Sequence, residues 1–258
     1  MKKLQVKTFF CKYWILCFLT LFITFIMRTC CQVTDSDALI WILGPTTRWA
    51  SILGSIPFEY LPHQGYVNHF YRFLIAPSCS GIRFMTITFL MLVFSFLHQI
   101  SSVRIGYLWF TISAAFSYCT TVFVNGIRIV ASIYLPIPLE QAGVLNGWLD
   151  PDRLHTLIGT VVYFSSLCVI YLVASFIFQH GFIHATEKNT KTAPDNLRHG
   201  LKLLIPAFWY LLTVLALPFL RRMIQNNWDG FASYAMLIIG ACVAISVPAA
   251  LIISLHKN

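Results

Sequence analysis

The chain has 258 residues, of which 58% are hydrophobic and 10% charged, and its mean hydropathy is +0.73. A soluble domain carries about 25% charged residues, so a soluble globule is excluded, as are a disordered chain, a coiled coil and a small disulfide scaffold. The net charge of +9 then reports membrane topology before nucleic acid, because the basic residues of a polytopic protein collect in its cytoplasmic loops.

A membrane span needs about 20 mainly apolar residues. Runs of that kind, bounded by charge, predict six spans: Phe9 to Met27, Phe84 to Ile100, Ile105 to Val124, Thr156 to Phe178, Leu203 to Leu220, and Phe231 to Leu255. Ahead of the first run stand Lys2, Lys3, Lys7 and Lys12, and behind it Arg28-Thr29-Cys30-Cys31. That ending offers no small-residue cleavage pattern, so the run reads as a retained anchor. Between the first and second spans, Leu39 to Phe58 is broken by Gly44, Pro45, Arg48, Gly54 and Pro57, and Gly65 to Ala76 contains His69 and Arg72. A charge at the bilayer centre costs about 3 kcal/mol on insertion scales, so both stretches are expected to be interfacial or re-entrant.

With the amino terminus in the cytoplasm and six crossings, the inner segments carry Lys2, Lys3, Lys7, Lys12, Arg104, Lys188, Lys191, Arg198, Lys202 and Lys257. Only Glu187 and Asp195 are acidic there. Arg221 and Arg222 fall outside against the rule, whereas the acidic loops sit where it puts them. The polar stretch Gln179 to Lys202 reads as a cytoplasmic linker. The expected architecture is an all-α, polytopic membrane helix bundle of about six to eight spans. It has a body over residues 1–180, a linker over 181–202 and a two-span hairpin over 203–258.

Of the eight cysteines, Cys11, Cys17, Cys119, Cys168 and Cys242 lie in apolar runs and are expected to act as small hydrophobes. Cys30 and Cys31 are adjacent and are read as ordinary thiols. No C-x-x-C occurs, so neither a zinc cluster nor a thiol oxidoreductase is expected. Cys79 stands apart, in Ala76-Pro77-Ser78-Cys79-Ser80-Gly81-Ile82-Arg83 just before an apolar helix. Ser78 or Ser80 is expected to cap that helix, whose first N–H groups would stabilise a thiolate, and Gly81 is expected to leave room for a substrate backbone.

A cysteine nucleophile needs a base and an oxyanion partner on its own side of the membrane. At the outer end of the third span, Asn125 and Arg128 are three apart and so share a helix face. An arginine in so apolar a setting either snorkels to headgroups or is held for a purpose. At the outer start of the fourth span, Asp150 as cap and Pro151 as first helical residue place His155 about one turn in. His63 and His69 are competing bases. The six-span order brings Cys79, Arg128 and His155 to one face.

Taken in order, Pro77-Ser78-Cys79-Ser80-Gly81-Ile82-Arg83, then Asn125-Gly126-Ile127-Arg128-Ile129, then a histidine heading the next span, the chain resembles the exosortase and archaeosortase family of membrane-embedded cysteine transpeptidases. The resemblance covers about residues 65 to 178. It implies Cys79 as nucleophile, Arg128 as the catalytic arginine, His155 as the catalytic histidine and Asn125 as an accessory residue. It also implies, as partners, secreted proteins anchored by a carboxyl-terminal sorting signal, cleaved before their hydrophobic span and joined to an envelope acceptor. The implied place is the cell (inner) membrane, with the site on the extracytoplasmic side. No cofactor or metal is expected. No Gly-rich phosphate loop is present, and the basic residues are spread among loops, so nucleotide and nucleic-acid partners are not expected. A multi-span transporter predicts paired polar groups in mid-span, and an assembly scaffold predicts that Cys79, Arg128 and His155 are dispensable. H-E-x-x-H and G-x-S-x-G are missing from the sequence.

Overall fold

The computed structural model describes residues 2–100, 102–145, 149–181, 204–225, 228 and 230–255. Among them, six helical segments are long and apolar enough to cross a bilayer: Lys12–Thr29, Pro77–Gln99, Val103–Gln141, Pro151–Phe178, Leu204–Ile224 and Phe231–Ala249. Each overlaps one of the six runs expected from hydropathy, and the protein is a multi-pass helical membrane protein. It divides into two compact units, Met1–Ile158 and Gly159–Asn258, the division falling inside a helix. The expected linker over 181–202 lies, apart from its first residue, outside the described residues.

In the first unit, α1 (Lys2–Val33) shows the two faces that a peripheral span requires. Tyr13, Leu16, Cys17, Thr20 and Thr24, spaced at three and four, are buried, whereas Trp14, Phe18 and Phe25 point out to where lipid lies. The two threonines return their hydroxyls to their own helix, Thr20 to the Leu16 carbonyl at 2.6 Å and Thr24 to that of Thr20 at 2.7 Å. No water is needed to satisfy them. At the start of this span, the Tyr13 hydroxyl donates to the Ile100 carbonyl at 2.6 Å. Gly106 makes this fit possible, because a Cβ there would lie 2.9 Å from the Tyr13 ring.

Beyond Arg83 the helix α3 (Ile82–Phe96) carries no charge and is mainly apolar on every side, and nearly all of it is buried. It runs between α1 and the long α4 (Val103–Tyr134). A helix with no polar face belongs in the middle of a bundle.

The broken stretch after the first span folds as α2 (Ile40–Gly54). Its 15 residues reach about 22 Å, short of the roughly 30 Å hydrocarbon core, so α2 does not cross. It lies alongside the carboxyl-terminal half of α4. The Tyr118 hydroxyl donates to the Trp41 carbonyl (2.9 Å), the Trp49 indole to the Phe123 carbonyl (3.2 Å), and the Tyr134 hydroxyl to the Gly54 carbonyl (2.9 Å). The first of these bonds explains how Pro45 is tolerated inside the helix. Proline lacks the N–H that would pair with the carbonyl four residues back, which is that of Trp41, and Tyr118 supplies the missing donor.

The all-α expectation needs one correction of detail. Residues 59–75 form a three-stranded antiparallel sheet, β1 (Glu59–Leu61), β2 (Gly65–Asn68) and β3 (Phe73–Ile75), with Tyr60 opposite Tyr66 and Val67 opposite Leu74. Asn68 organises the second turn, donating to the Pro57 carbonyl at 2.6 Å and accepting the Tyr71 N–H at 2.7 Å. Ile75 of β3 is fully buried in a core cluster with Leu39, Ile42, Leu43, Ile129 and Ile133. The sheet is thereby fastened to α2 and to the carboxyl-terminal end of α4. The fourth span, α6 (Pro151–Gly181), begins in this unit, after a short helix α5 (Pro136–Gln141).

In the second unit, the later part of α6 packs with α7 (Leu204–Leu211), a π-helical turn Leu212–Ala216, α8 (Leu217–Gln225) and α9 (Phe231–Leu255). The rings of Phe164 and Tyr210 lie 5.5 Å apart, and Tyr210 is hydrogen-bonded to Thr160. The π turn precedes Pro218, which has no N–H to offer the Val214 carbonyl.

Candidate active site

The candidate nucleophile is set by a single tight turn. Pro77, Ser78 and Cys79 form a 3-10 turn leading out of β3, with the Cys79 N–H on the Ala76 carbonyl at 2.8 Å and the Ser80 N–H on that of Pro77 at 3.1 Å. Gly81 follows with φ +76°, a conformation that favours glycine, and it is the cap residue of α3. Neither Ser78 nor Ser80 caps this helix, contrary to expectation, because the left-handed turn at Gly81 intervenes. The space beside Gly81 is not open to a substrate backbone either. A Cβ at Gly81 would lie 2.9 Å from the Thr121 methyl and 3.0 Å from Cγ of Asn125, so α4 fills it.

This close approach lets Asn125 act on the cysteine. Its side-chain Nδ2 donates to the Cys79 carbonyl at 2.6 Å, and the residue is fully buried. Asn125 belongs to a polar stripe on the inward face of α4, formed by Ser113, Ser117, Thr121, Asn125, Arg128 and Ser132, all buried. Gly126, on the other flank, admits Trp49 of α2, whose Cδ1 would stand 2.3 Å from a Cβ at that position. Asn125 is thus fixed by neighbours on both sides of its helix.

One turn further along α4, Arg128 is only 9% exposed, which rules out snorkelling to headgroups. Its Nη2 lies 2.7 Å from Nε2 of His155. The start of α6 presents that histidine as anticipated: the Asp150 carboxylate accepts the Arg153 N–H at 2.7 Å and the Arg153 Nε at 3.3 Å, and the Asp150 carbonyl accepts the Leu154 N–H at 2.9 Å. A guanidinium has only donors. His155 Nε2 must therefore accept, and the imidazole is neutral with its proton on Nδ1.

Cys79 is 8% exposed and belongs to the apolar cluster with Leu39, Ile42, Ile75, Ile82 and Met85; its Sγ has the Ser78 hydroxyl at 4.0 Å. The rival histidines lie on the sheet and are paired there. His63 Nδ1 is 3.0 Å from Asp37 and 3.8 Å from Asp35, and His69 Nε2 is 3.3 Å from Glu59. His155 is the histidine that meets Arg128. Among the described residues no group of His, Cys, Asp and Glu side chains is placed to hold a metal, and Cys17, Cys79, Cys119, Cys168 and Cys242 are free thiols.

Two features of the site were not read from the sequence. One is that Asn125 grips the cysteine's own carbonyl; the other is that Gly81 serves helix packing. The four-residue spacing of Ser113, Ser117, Thr121 and Asn125 carries a signal for both, since small polar residues at that interval mark a helix face that another backbone approaches closely. No family model matches the chain, and neither a curated protein nor a solved structure matches it.

Proposed function

We propose that the protein is an exosortase-like cysteine peptidase or transpeptidase of the cell membrane. In this reading it removes the hydrophobic carboxyl-terminal sorting signal of secreted proteins and transfers them to an envelope acceptor, its site on the extracytoplasmic side. The observation that carries the reading is the pairing of Arg128 with His155 at 2.7 Å, one helical turn from the Asn125 that holds the Cys79 carbonyl. Two polar pairs, Cys79 with Asn125 and Arg128 with His155, are set one helical turn apart on α4 in an apolar setting, where isolated polar groups are costly. The orientation is supported by the distribution of acidic residues in the sequence.

The chemistry follows from the residue types. The Cys79 thiol gives its proton to His155 Nε2, and the sulfur attacks the scissile carbonyl carbon. The carbonyl π pair moves to oxygen and is held by Arg128 as the tetrahedral oxyanion. Collapse breaks the C–N bond, the leaving amine takes the proton from His155, and a thioester remains on Cys79. An acceptor amine or hydroxyl, or water, then releases the acyl group. Confinement of an anchored substrate to the same bilayer raises its effective concentration, so high intrinsic affinity is unnecessary.

The test compares the carboxyl-terminal peptides of envelope and secreted proteins in the native host carrying wild type or Cys79→Ala. A set of proteins that keeps its hydrophobic tail only in the mutant is the expected result. Matching peptide sets, with the Cys79→Ala protein made and inserted normally, would overturn the proposal and bring the transporter reading forward.

A further inference from the structure

Two events that the proposed reaction requires use the same lone pair. For His155 to remove the Cys79 proton, its Nε2 must be free to accept. In the structure that lone pair takes a hydrogen bond from Arg128 Nη2 at 2.7 Å, and the guanidinium, which keeps its charge, has no proton it will give up to make room. The Arg128–His155 contact and the Cys79-to-His155 proton transfer therefore exclude each other.

The groups that bear on His155 are few. From α4 there is Arg128. On its own helix, one turn toward the start, there is Asp152, with Arg153 and the cap Asp150 beside it. An imidazolium at position 155 would face the fixed charge of Arg128 at contact distance, with Asp152 as the carboxylate nearest in sequence. Protonation of His155 thus requires Arg128 to leave or to find a compensating negative charge. The scissile carbonyl supplies one, because its oxygen becomes anionic as sulfur attacks.

We infer that Arg128 holds the base nitrogen of His155 until a substrate carbonyl draws the guanidinium away, so that Cys79 is deprotonated only with substrate seated. The inference rests on the cysteine-peptidase reading of the site and adds an order of events to it. Arg128 moves its hydrogen bond from His155 Nε2 to the carbonyl oxygen, Nε2 then accepts the thiol proton, and the thiolate pair forms the C–S bond. The arrangement keeps a nucleophilic thiolate from standing exposed to oxidants between turnovers.

The experiment follows alkylation of Cys79 in the purified full-length protein by iodoacetamide, read by mass spectrometry of the Cys79 peptide, from about pH 6 to about pH 9. In wild type the rate is expected to climb only toward the upper end, as for a thiol with no base at hand. In Arg128→Gln the freed imidazole forms a thiolate–imidazolium pair, and alkylation at about pH 6 is expected to rise about tenfold or more. The double variant Arg128→Gln/His155→Gln opens the same space without a base, and its low-pH rate is expected to fall back toward wild type. Arg128→Met carries the same expectation if the glutamine variant is not recovered folded.

A fast low-pH limb already present in wild type would overturn the inference. So would an unchanged profile in both Arg128 variants, or a double variant as reactive as the single one. The peptidase reading fails separately, through processing that persists in Cys79→Ala, whatever the alkylation rates show.

Discussion

At the scale of single residues, the site depends on geometry that conservative changes break. Arg128→Lys keeps the charge but loses the planar fork, which must serve His155 and an oxyanion in turn. Processing is expected to fall about a hundredfold, the usual cost of losing an oxyanion donor, with the amount of protein in the membrane unchanged. Cys168→Ala is the contrasting case. Cys168 is buried in the second unit, where it serves as a small hydrophobe, so processing in the same assay is expected to stay at the wild-type rate. The residue types at the site were legible in the sequence, because cysteine beside glycine and serine, arginine in an apolar run and histidine behind an Asp-Pro helix start each carry local chemistry. Their contacts were not. That Asn125 reaches the Cys79 carbonyl depends on the positive φ at Gly81 and on how near α4 approaches it, and neither is a property of a sequence window.

At the scale of elements, close packing at two glycines sets the position of α4. Gly126→Ala pushes a methyl into the Trp49 ring, and Gly81→Ala adds both a contact with Thr121 and a strained φ. Each is expected to lower stability by about 1–3 kcal/mol, read as a lower melting temperature of the detergent-solubilised protein. A melting temperature unchanged in both variants would mean that the helices are not packed as described. A second element-scale feature is a clasp between the turn after α1 and the β1–β2 hairpin. The Asp37 carboxylate accepts the Tyr60 hydroxyl at 2.5 Å and the His63 N–H at 2.8 Å. The Tyr60 hydrogen bond, and then that from His63, hold the Asp37 carboxyl below its ordinary value, while the same bond to Asp37 pushes Tyr60 up to about 12. The carboxylate's contribution is therefore present at neutral pH and is lost as the pH falls through the lowered Asp37 value. That of Tyr60 is complete below its ordinary range and is lost as the pH rises through about 12. Amide exchange over 59–68 is expected to stay slow at neutral pH and to quicken in acid, and Asp37→Ala is expected to quicken it at neutral pH. Equal protection in Asp37→Ala would remove the clasp. The sheet itself was not legible, for physical reasons. Its strands are only three or four residues long, too short for alternation to register, and two of its turn residues with positive φ are His63 and Arg72 rather than glycines.

At the scale of the whole molecule, the spans were legible because lipid imposes length and apolarity on each of them independently of its neighbours. Six crossings would put the two ends of the chain on the same side of the membrane. Reporter tags placed at either end are expected to be protected together or digested together when sealed vesicles are treated with protease. Opposite fates would mean an odd number of crossings and would move the site to the other face. The interrupted stretch after the first span is where such an error would enter, and the 15-residue length of α2 is what argues against a further crossing there.

The central claim, that Cys79 forms a thioester with the carbonyl carbon of an anchored protein, is tested most directly by adding hydroxylamine to membranes that contain the protein and its native substrates. A thioester is cleaved by hydroxylamine to a hydroxamate, so substrate chains should end in a hydroxamate at one defined residue before their hydrophobic tail in wild type, and none should do so in Cys79→Ala. Carboxyl-terminal hydroxamates that form equally in both, or processed substrate chains that never carry one in wild type, would contradict a covalent role for Cys79.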